Sequence, residues 1–274
     1  ASGGPVFGSG ETRQSKNGAL STSIDLTIPT TERWDQRITV SFYRNDLDRD
    51  SPAVSPMVPP SMEKTLFSRT RIGWLTSAQL LNWVQLSGGV DAQFESGEND
   101  SILILPPAFG GATSGNFELS RTTPGLFAEV VTERGGLVME GGLRVDLPEE
   151  LSSELSPRLA ARYRLSHGTV LRGSASRAFK LPSFFVLGTP RQLGGNPELK
   201  PETSVGGDVG LDHEVTRWDL NLGAAIFHTR YRDLVDFDFE TFQFVNRASV
   251  EATGLELSLD WHARELVQVE SSLT

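Results

Sequence analysis

The chain contains no cysteine. That one absence removes disulfide frameworks, zinc–thiolate sites and thiol catalysis together. No stretch approaches the ~18 consecutive apolar residues of a membrane helix, and the N-terminus lacks the basic-then-apolar layout of a secretory leader. A helical membrane protein is therefore excluded. A β-barrel membrane protein is not, because its strands alternate apolar and polar residues and each gives only a weak hydropathy signal. Basic residues are in deficit: 25 Lys and Arg stand against 35 Asp and Glu, for a net charge of −10. Nucleic acid is therefore not an expected partner, since phosphate binding needs a basic face. Histidine is scarce as well. His167, His213 and His262 fall at separate proposed turns and His228 near a strand end, so no two are placed as metal ligands. There is no nucleophile elbow, and Gly8-Ser9-Gly10 is not followed by the strand–helix unit of a phosphate-cradling loop. The expectation is a protein that is not an enzyme, with no catalytic residue, no resident metal and no cofactor.

What the sequence does have is glycine (27), proline (15) and phenylalanine (15), at a mild mean hydropathy of −0.23. Apolar residues recur with a period of two. Leu255, Leu257, Leu259 and Trp261 alternate with Glu256, Ser258, Asp260 and His262, and Leu159, Ala161, Tyr163 and Leu165 alternate with arginines. Each such strand has one apolar face and one polar face. The same holds around Leu137–Leu147 and Leu220–Ile226, and in shorter form at Ile24–Ile28 and Ile38–Phe42.

Connections fall into two alternating classes. Short polar turns are expected near Thr30–Asp35, Leu75–Ala78, Thr132–Gly136, Ser166–Gly168, His213–Arg217 and His262–Glu265. Between them lie longer segments rich in Pro, Gly and Asp, at Asp46–Met62, Gly97–Gly115, Pro148–Ser156, Lys180–Glu202 and Tyr231–Ser249. The result is about twelve strands in six hairpins, with short turns at one rim and long loops at the other, as in an outer-membrane barrel. The five tryptophans, Trp34, Trp74, Trp83, Trp218 and Trp261, lie in or within a few residues of the short turns. Amphipathic aromatics belong there, at the headgroup level of a membrane barrel. The fold expected is all-β, an antiparallel up-and-down transmembrane barrel. Pattern alone leaves open a soluble β-sandwich, enzyme or lectin, with the apolar faces turned inward.

One segment is more specific. Ser156-Pro157-Arg158 opens a strand, Arg177-Ala178-Phe179-Lys180-Leu181-Pro182-Ser183 leaves the next, and Asn196-Pro197-Glu198-Leu199-Lys200-Pro201-Glu202 enters a third. With Leu126–Glu129 and Gly142–Asp146 upstream, and Tyr231–Val235, Phe244–Asn246 and Thr253–Glu256 downstream, this run resembles the barrel of TonB-dependent outer-membrane receptors. The resemblance spans about Leu126 to Trp261; earlier residues fit in general layout. It implies residence in the outer membrane of a Gram-negative bacterium, contact with outer-membrane lipid, and energy-dependent uptake of a cobalamin or ferric siderophore. It also implies coupling to TonB through an N-terminal region. The family's plug domain, TonB box and terminal aromatic residue have no counterpart in these 274 residues. Residues 1–274 are accordingly expected to be one partial barrel of about twelve strands out of about 22, without plug and without the C-terminal strands. A passive porin is the rival from a different transport class.

The prolines carry a physical reading of their own. Pro182 lacks an N–H and Pro197 and Pro201 fix φ, so the ladder should stop at Lys180 and resume near Thr203. Ligand capture is expected on such long loops, which a rigid scaffold positions. Phe184, Phe185, Arg191 and Gln192 in one loop, with Tyr231 and Arg232 at the base of another, combine aromatic surface with cationic and amide groups suited to a bulky, partly anionic chelate. Asp233, Asp236, Asp238 and Glu240 form a carboxylate cluster whose readings are a solvated loop, a Ca²⁺ site and a pair of carboxylates flanking a glycosidic bond, the first of them the expected one.

Overall fold

Thirteen strands carry most of the backbone in the computed structural model, which describes residues 14–52, 60–104, 111–263 and 267–274. Twelve of them form a single antiparallel meander in which each strand pairs with the next. These are β1 (Gln14–Thr31), β2 (Trp34–Ser51), β3 (Ser61–Leu81), β4 (Val84–Ile104), β6 (Phe117–Arg134) and β7 (Leu137–Asp146), followed by β8 (Glu154–Ser166), β9 (Thr169–Lys180), β10 (Glu202–Val215), β11 (Leu220–Asp238), β12 (Gln243–Ala263) and β13 (Val267–Leu273). The short β5 (Ala112–Ser114) folds back on the end of β4. β1 and β13 are the two edges of this open sheet.

Side chains divide cleanly by parity, and the division is inverted relative to a water-soluble protein. On one face stand Ile24, Val209 and Ile226, exposed to 70%, 62% and 62%, with Leu126, Leu159 and Leu255 among many others. Among the described residues the buried apolar side chains are only Phe184, Leu199 and Ala225, whereas Asp91, Glu95, Arg121, Asp146 and Glu154 are buried. Hydrophobic burial drives folding in water, so a sheet that turns its apolar face out and its carboxylates in is built for lipid. The soluble sandwich, which needs the apolar faces inward, is set aside by this arrangement.

Curvature follows from contacts that span strands. Arg71 of β3, Arg144 of β7 and Ala178 of β9 line one cleft on the polar face, so the sheet curls with that face inside. Within the cleft, Arg144 donates to Asp91 (2.7 and 2.9 Å) and Asp146 (2.6 Å), and Arg71 donates to Asp91 at 2.8 Å.

Several boundaries differ from those read in the sequence. The turn expected at Leu75–Ala78 lies at Asn82–Trp83, and the one expected at His213–Arg217 is a 3₁₀ turn at Thr216–Trp218. The turn expected at His262–Glu265 falls mostly outside the described residues. Trp34, Trp83, Trp218 and Trp261 sit at this rim, but Trp74 stands inside β3, paired with Ile38 and Val90. On the long-loop side, ladder pairing extends through Ser51↔Ser61 and Asp238↔Gln243, well into segments expected as loops. The apolar alternation stops where lipid stops, but backbone hydrogen bonding continues into water, and only the first leaves a sequence signal.

Candidate ligand-capture site

The segment between Lys180 and Glu202 leaves the ladder where the prolines require. Lys180 and Glu202 are Cα partners, and the Lys180 ammonium donates to Glu202 Oε2 at 2.9 Å, closing the loop at its base. The loop itself is firmly held. One helical turn, α1 (Phe184–Gly188), seats the Phe184 ring over Gly97 of β4, where a Cβ would collide with the ring. Phe67 lies 6.2 Å away on one side, and the Arg121 guanidinium stands 4.9 Å from the ring centroid. Arg121 also donates to Glu95 (2.8 and 3.1 Å) and to the Pro182 carbonyl (3.1 Å), all buried. The N-terminal half of the loop is thereby stapled to the inner wall.

Its C-terminal half is tied to the β11–β12 hairpin. Asn196 Nδ2 donates to the Phe244 carbonyl and the Phe244 N–H donates to the Gly194 carbonyl. Asn246 accepts from the Lys200 N–H and donates to the carbonyls of Lys200 and Asp233, while the Val235 N–H donates to Glu202 Oε1. Leu199 is 2% exposed beneath them. Gly194 sits at φ +99, a left-handed conformation at which a Cβ would also come within 2.6 Å of the Phe237 ring, so glycine alone fits. The Asn196–Glu202 run and Phe244–Asn246, which look like family signatures in the sequence, are thus the two halves of an interlock.

That interlock presents an aromatic cluster. Phe237 lies at its centre, with ring centroids 5.2 Å from Phe239, 5.1 Å from Phe242 and 5.1 Å from Phe244, all edge-on; Phe244 meets Phe185 at 6.1 Å. Phe239 is 84% exposed and Phe242 55%. Charges ring the cluster in pairs: Arg191 with Glu198 (2.7 Å), and Arg247 with Asp236 (3.1 Å) and Asp238 (2.9 Å). Asp238 also accepts from Thr241 Oγ1 at 2.7 Å and from the Glu240 N–H, and these bonds, the threonine's first, hold its carboxyl below the ordinary carboxylate range. Asp236 in turn raises the Arg247 guanidinium further. The carboxylates are therefore engaged by arginine and hydroxyl donors, and among the described residues no group of acids and histidines is gathered to hold a cation.

Of the six residues expected to meet ligand, Phe185 lies in the cluster, Arg191 and exposed Gln192 lie on the adjoining 3₁₀ turn, and Phe184 is buried as the staple. Tyr231 and Arg232 lie apart, on β11 below a bulge that is marked by Asp233 at φ 56. The hairpin phenylalanines 237, 239, 242 and 244 do not figure among those six. Their only signal is four phenylalanines within eight residues of a polar loop, which reads as strand propensity as readily as binding surface.

Residues 2–274 match the family model described as "TonB dependent receptor-like, beta-barrel". The vitamin B12 transporter BtuB of Vibrio vulnificus (strain CMCP6) is 25% identical over 157 residues, covering 55% of this chain and 24% of the relative. The ferrienterobactin receptor of Escherichia coli (strain K12) is 26% identical over 176 residues, covering 54% and 23%. The chain thus spans about a quarter of the length of these relatives. The ferric-catecholate import receptor Fiu of E. coli K12 superposes with a TM-score of 0.67 at 13% identity, over 93% of this chain and 46% of that one. The FrpB iron transporter of Neisseria meningitidis gives 0.68 at 13%, over 92% and 42%. These solved structures establish a shared fold.

Proposed function

Because this chain belongs to the TonB-dependent receptor β-barrel family, we propose that it forms part of an outer-membrane receptor of a Gram-negative bacterium, one that takes up a metal-chelate nutrient, cobalamin or a ferric siderophore. The family consists of receptors and transporters, so binding and passage, and no covalent chemistry, are the expected activity. The observation that carries the reading is the exposed phenylalanine cluster on a doubly stapled loop pair at the long-loop rim. Rigid aromatic anchors bind with little loss of conformational freedom and are common hot spots. Plug and TonB contact are expected from the remainder of the parent receptor, and its further strands would pair with β1 and β13.

The test is equilibrium binding of cobalamin and of ferric siderophores to the purified full-length receptor carrying this segment. Truncating Phe239 and Phe242 together to alanine should weaken binding by ~2 kcal/mol, roughly thirtyfold, if both are anchors. Adding Phe185→Ala should weaken it further. Phe184 is excluded from this set because its loss would unseat the loop. Undiminished affinity in the triple variant would remove capture from this cluster and leave the family assignment intact.

A further inference from the structure

The outward face of β9–β12 can be read row by row from the strand register. From the short-turn rim upward the rows are Trp261 and Leu220; Leu259 and Leu222; Leu257, Ala224, Leu211 and Leu171; Leu255, Ile226, Val209 and Gly173. A small polar row follows, Thr253, His228, Gly207 and Ala175, and then comes Glu251, Arg230, Val205 and Arg177, with Arg232 beside Thr203 above it. Ten residues separate Trp261 from Glu251. That is about 33 Å along a strand, or about 25 Å of height at a tilt of ~40°, which is the thickness of the lipid-facing apolar band. The arginine row therefore stands at the upper edge of the band, facing outward.

These side chains line a cleft of about 570 Å³ that includes Arg177, Lys200, Arg230 and Arg232, with the apolar Val205 level with Arg177 and Arg230 and His228 one row below. Glu154 and Asp233 also line it, and two of the four cations are already engaged. Arg177 donates to Glu154 and to the Leu155 carbonyl, where Pro157 interrupts the ladder, and Arg230 pairs with Glu251 at 3.2 Å. Among the described residues no carboxylate pairs with Arg232 or Lys200. Toward the long-loop end of β2–β6 the outward face is of opposite sign, with Asp46, Asp48, Asp50, Glu98, Asp100 and Glu118 pointing outward. Lys16 and Lys64 of that acidic sector stand among these carboxylates, whereas Arg232 and Lys200 stand above the apolar side chains of β9–β12 without a carboxylate partner among the described residues.

We propose that this cleft binds the phosphate-bearing headgroup of a membrane lipid, with Arg232 and Lys200 as the phosphate donors and Val205 and Val209 against the upper acyl chain. The inference rests on the membrane reading above, because only a lipid-facing wall brings a headgroup to this height. Guanidinium and ammonium groups form charge-assisted bonds to phosphate, and a basic pocket at the membrane interface is the setting in which a headgroup satisfies them.

The experiment uses the full-length receptor, purified in detergent and examined by native mass spectrometry with three probes: phosphatidic acid, diacylglycerol of the same chains, and inorganic phosphate alone. Phosphatidic acid should be retained and diacylglycerol should not. Lys200→Gln with Arg232→Gln should lower retention about tenfold, while Lys16→Gln with Lys64→Gln, two cations of the acidic sector, should leave it unchanged. Arg232→Lys should keep most of it. Heat-modifiable gel migration checks that each variant is a folded barrel, and Arg232→Gln alone serves if the double variant is not. Equal retention in both double variants, equal retention of diacylglycerol, or inorganic phosphate bound as tightly as the lipid would each overturn the proposal, the last by making this a free-anion site. Failure of the membrane reading shows differently, as a receptor that stays monodisperse without detergent.

Discussion

Arg121 joins three parts of the molecule through one guanidinium: Glu95 on β4, the Pro182 carbonyl at the loop entrance, and the Phe184 ring. Both ionised partners are buried, so removing one leaves the other desolvated and unpaired. Arg121→Ala should therefore cost ~3–5 kcal/mol locally, and the readout is faster proteolysis within residues 181–201 of the intact receptor. The paired variant Arg121→Met with Glu95→Met should recover much of that loss; if it does not, the Pro182 contact and not the ion pair holds the loop. At the hairpin tip, Asp238 has its carboxyl held below the ordinary value of 3.8. A depressed carboxylate favours the folded tip above that value, and the contribution disappears as pH falls through the depressed one. Binding at the phenylalanine cluster should accordingly be flat from neutral pH down to about pH 4 and weaken below it, and Asp238→Asn should abolish that step in a binding titration. Gly194→Ala should loosen the same tip, since the φ of +99 strains any side chain and Phe237 occupies the space.

At the scale of the strand, the outward and inward faces should respond oppositely to charge. Leu257 projects into the apolar band and is exposed, and Leu257→Arg should cost ~2–4 kcal/mol in the complete barrel, against little for Ser258→Arg on the inner face. Reversible unfolding of the parent barrel in lipid measures both, and equal costs would count against a lipid-facing wall. Elements also show where sequence is legible. Strand identity and face were readable wherever period two persisted, as in Leu255–Trp261 or Leu159–Leu165, because pleating sends alternate residues to opposite sides irrespective of neighbours. The Lys180 and Glu202 ends were readable because proline forbids the ladder. The turn at Asn82–Trp83 was not, since a two-residue turn inside Leu80-Leu81-Asn82-Trp83-Val84 interrupts no apolar pattern. The upper halves of β2, β3 and β11 leave no sequence signal for the complementary reason, that backbone pairing in water requires no particular side chain.

For the whole molecule, the open edges at β1 and β13 leave rows of unpaired amides and carbonyls that lipid cannot satisfy. The 274-residue chain expressed alone in detergent-free buffer should aggregate. A monodisperse, cooperatively melting product would contradict an outward apolar face directly. By itself the sequence determined the class of the protein, all-β and two-faced, with short turns against long loops, because those properties are set by local periodicity and by proline and glycine geometry. Tertiary structure decided which face lies inside and what the loops do. Only the curl of the sheet brings Phe184 onto Gly97, 87 positions away in the chain, and Asn196 onto Phe244. Such contacts depend on curvature summed over many strands, to which each residue contributes too little to be read from its neighbours alone.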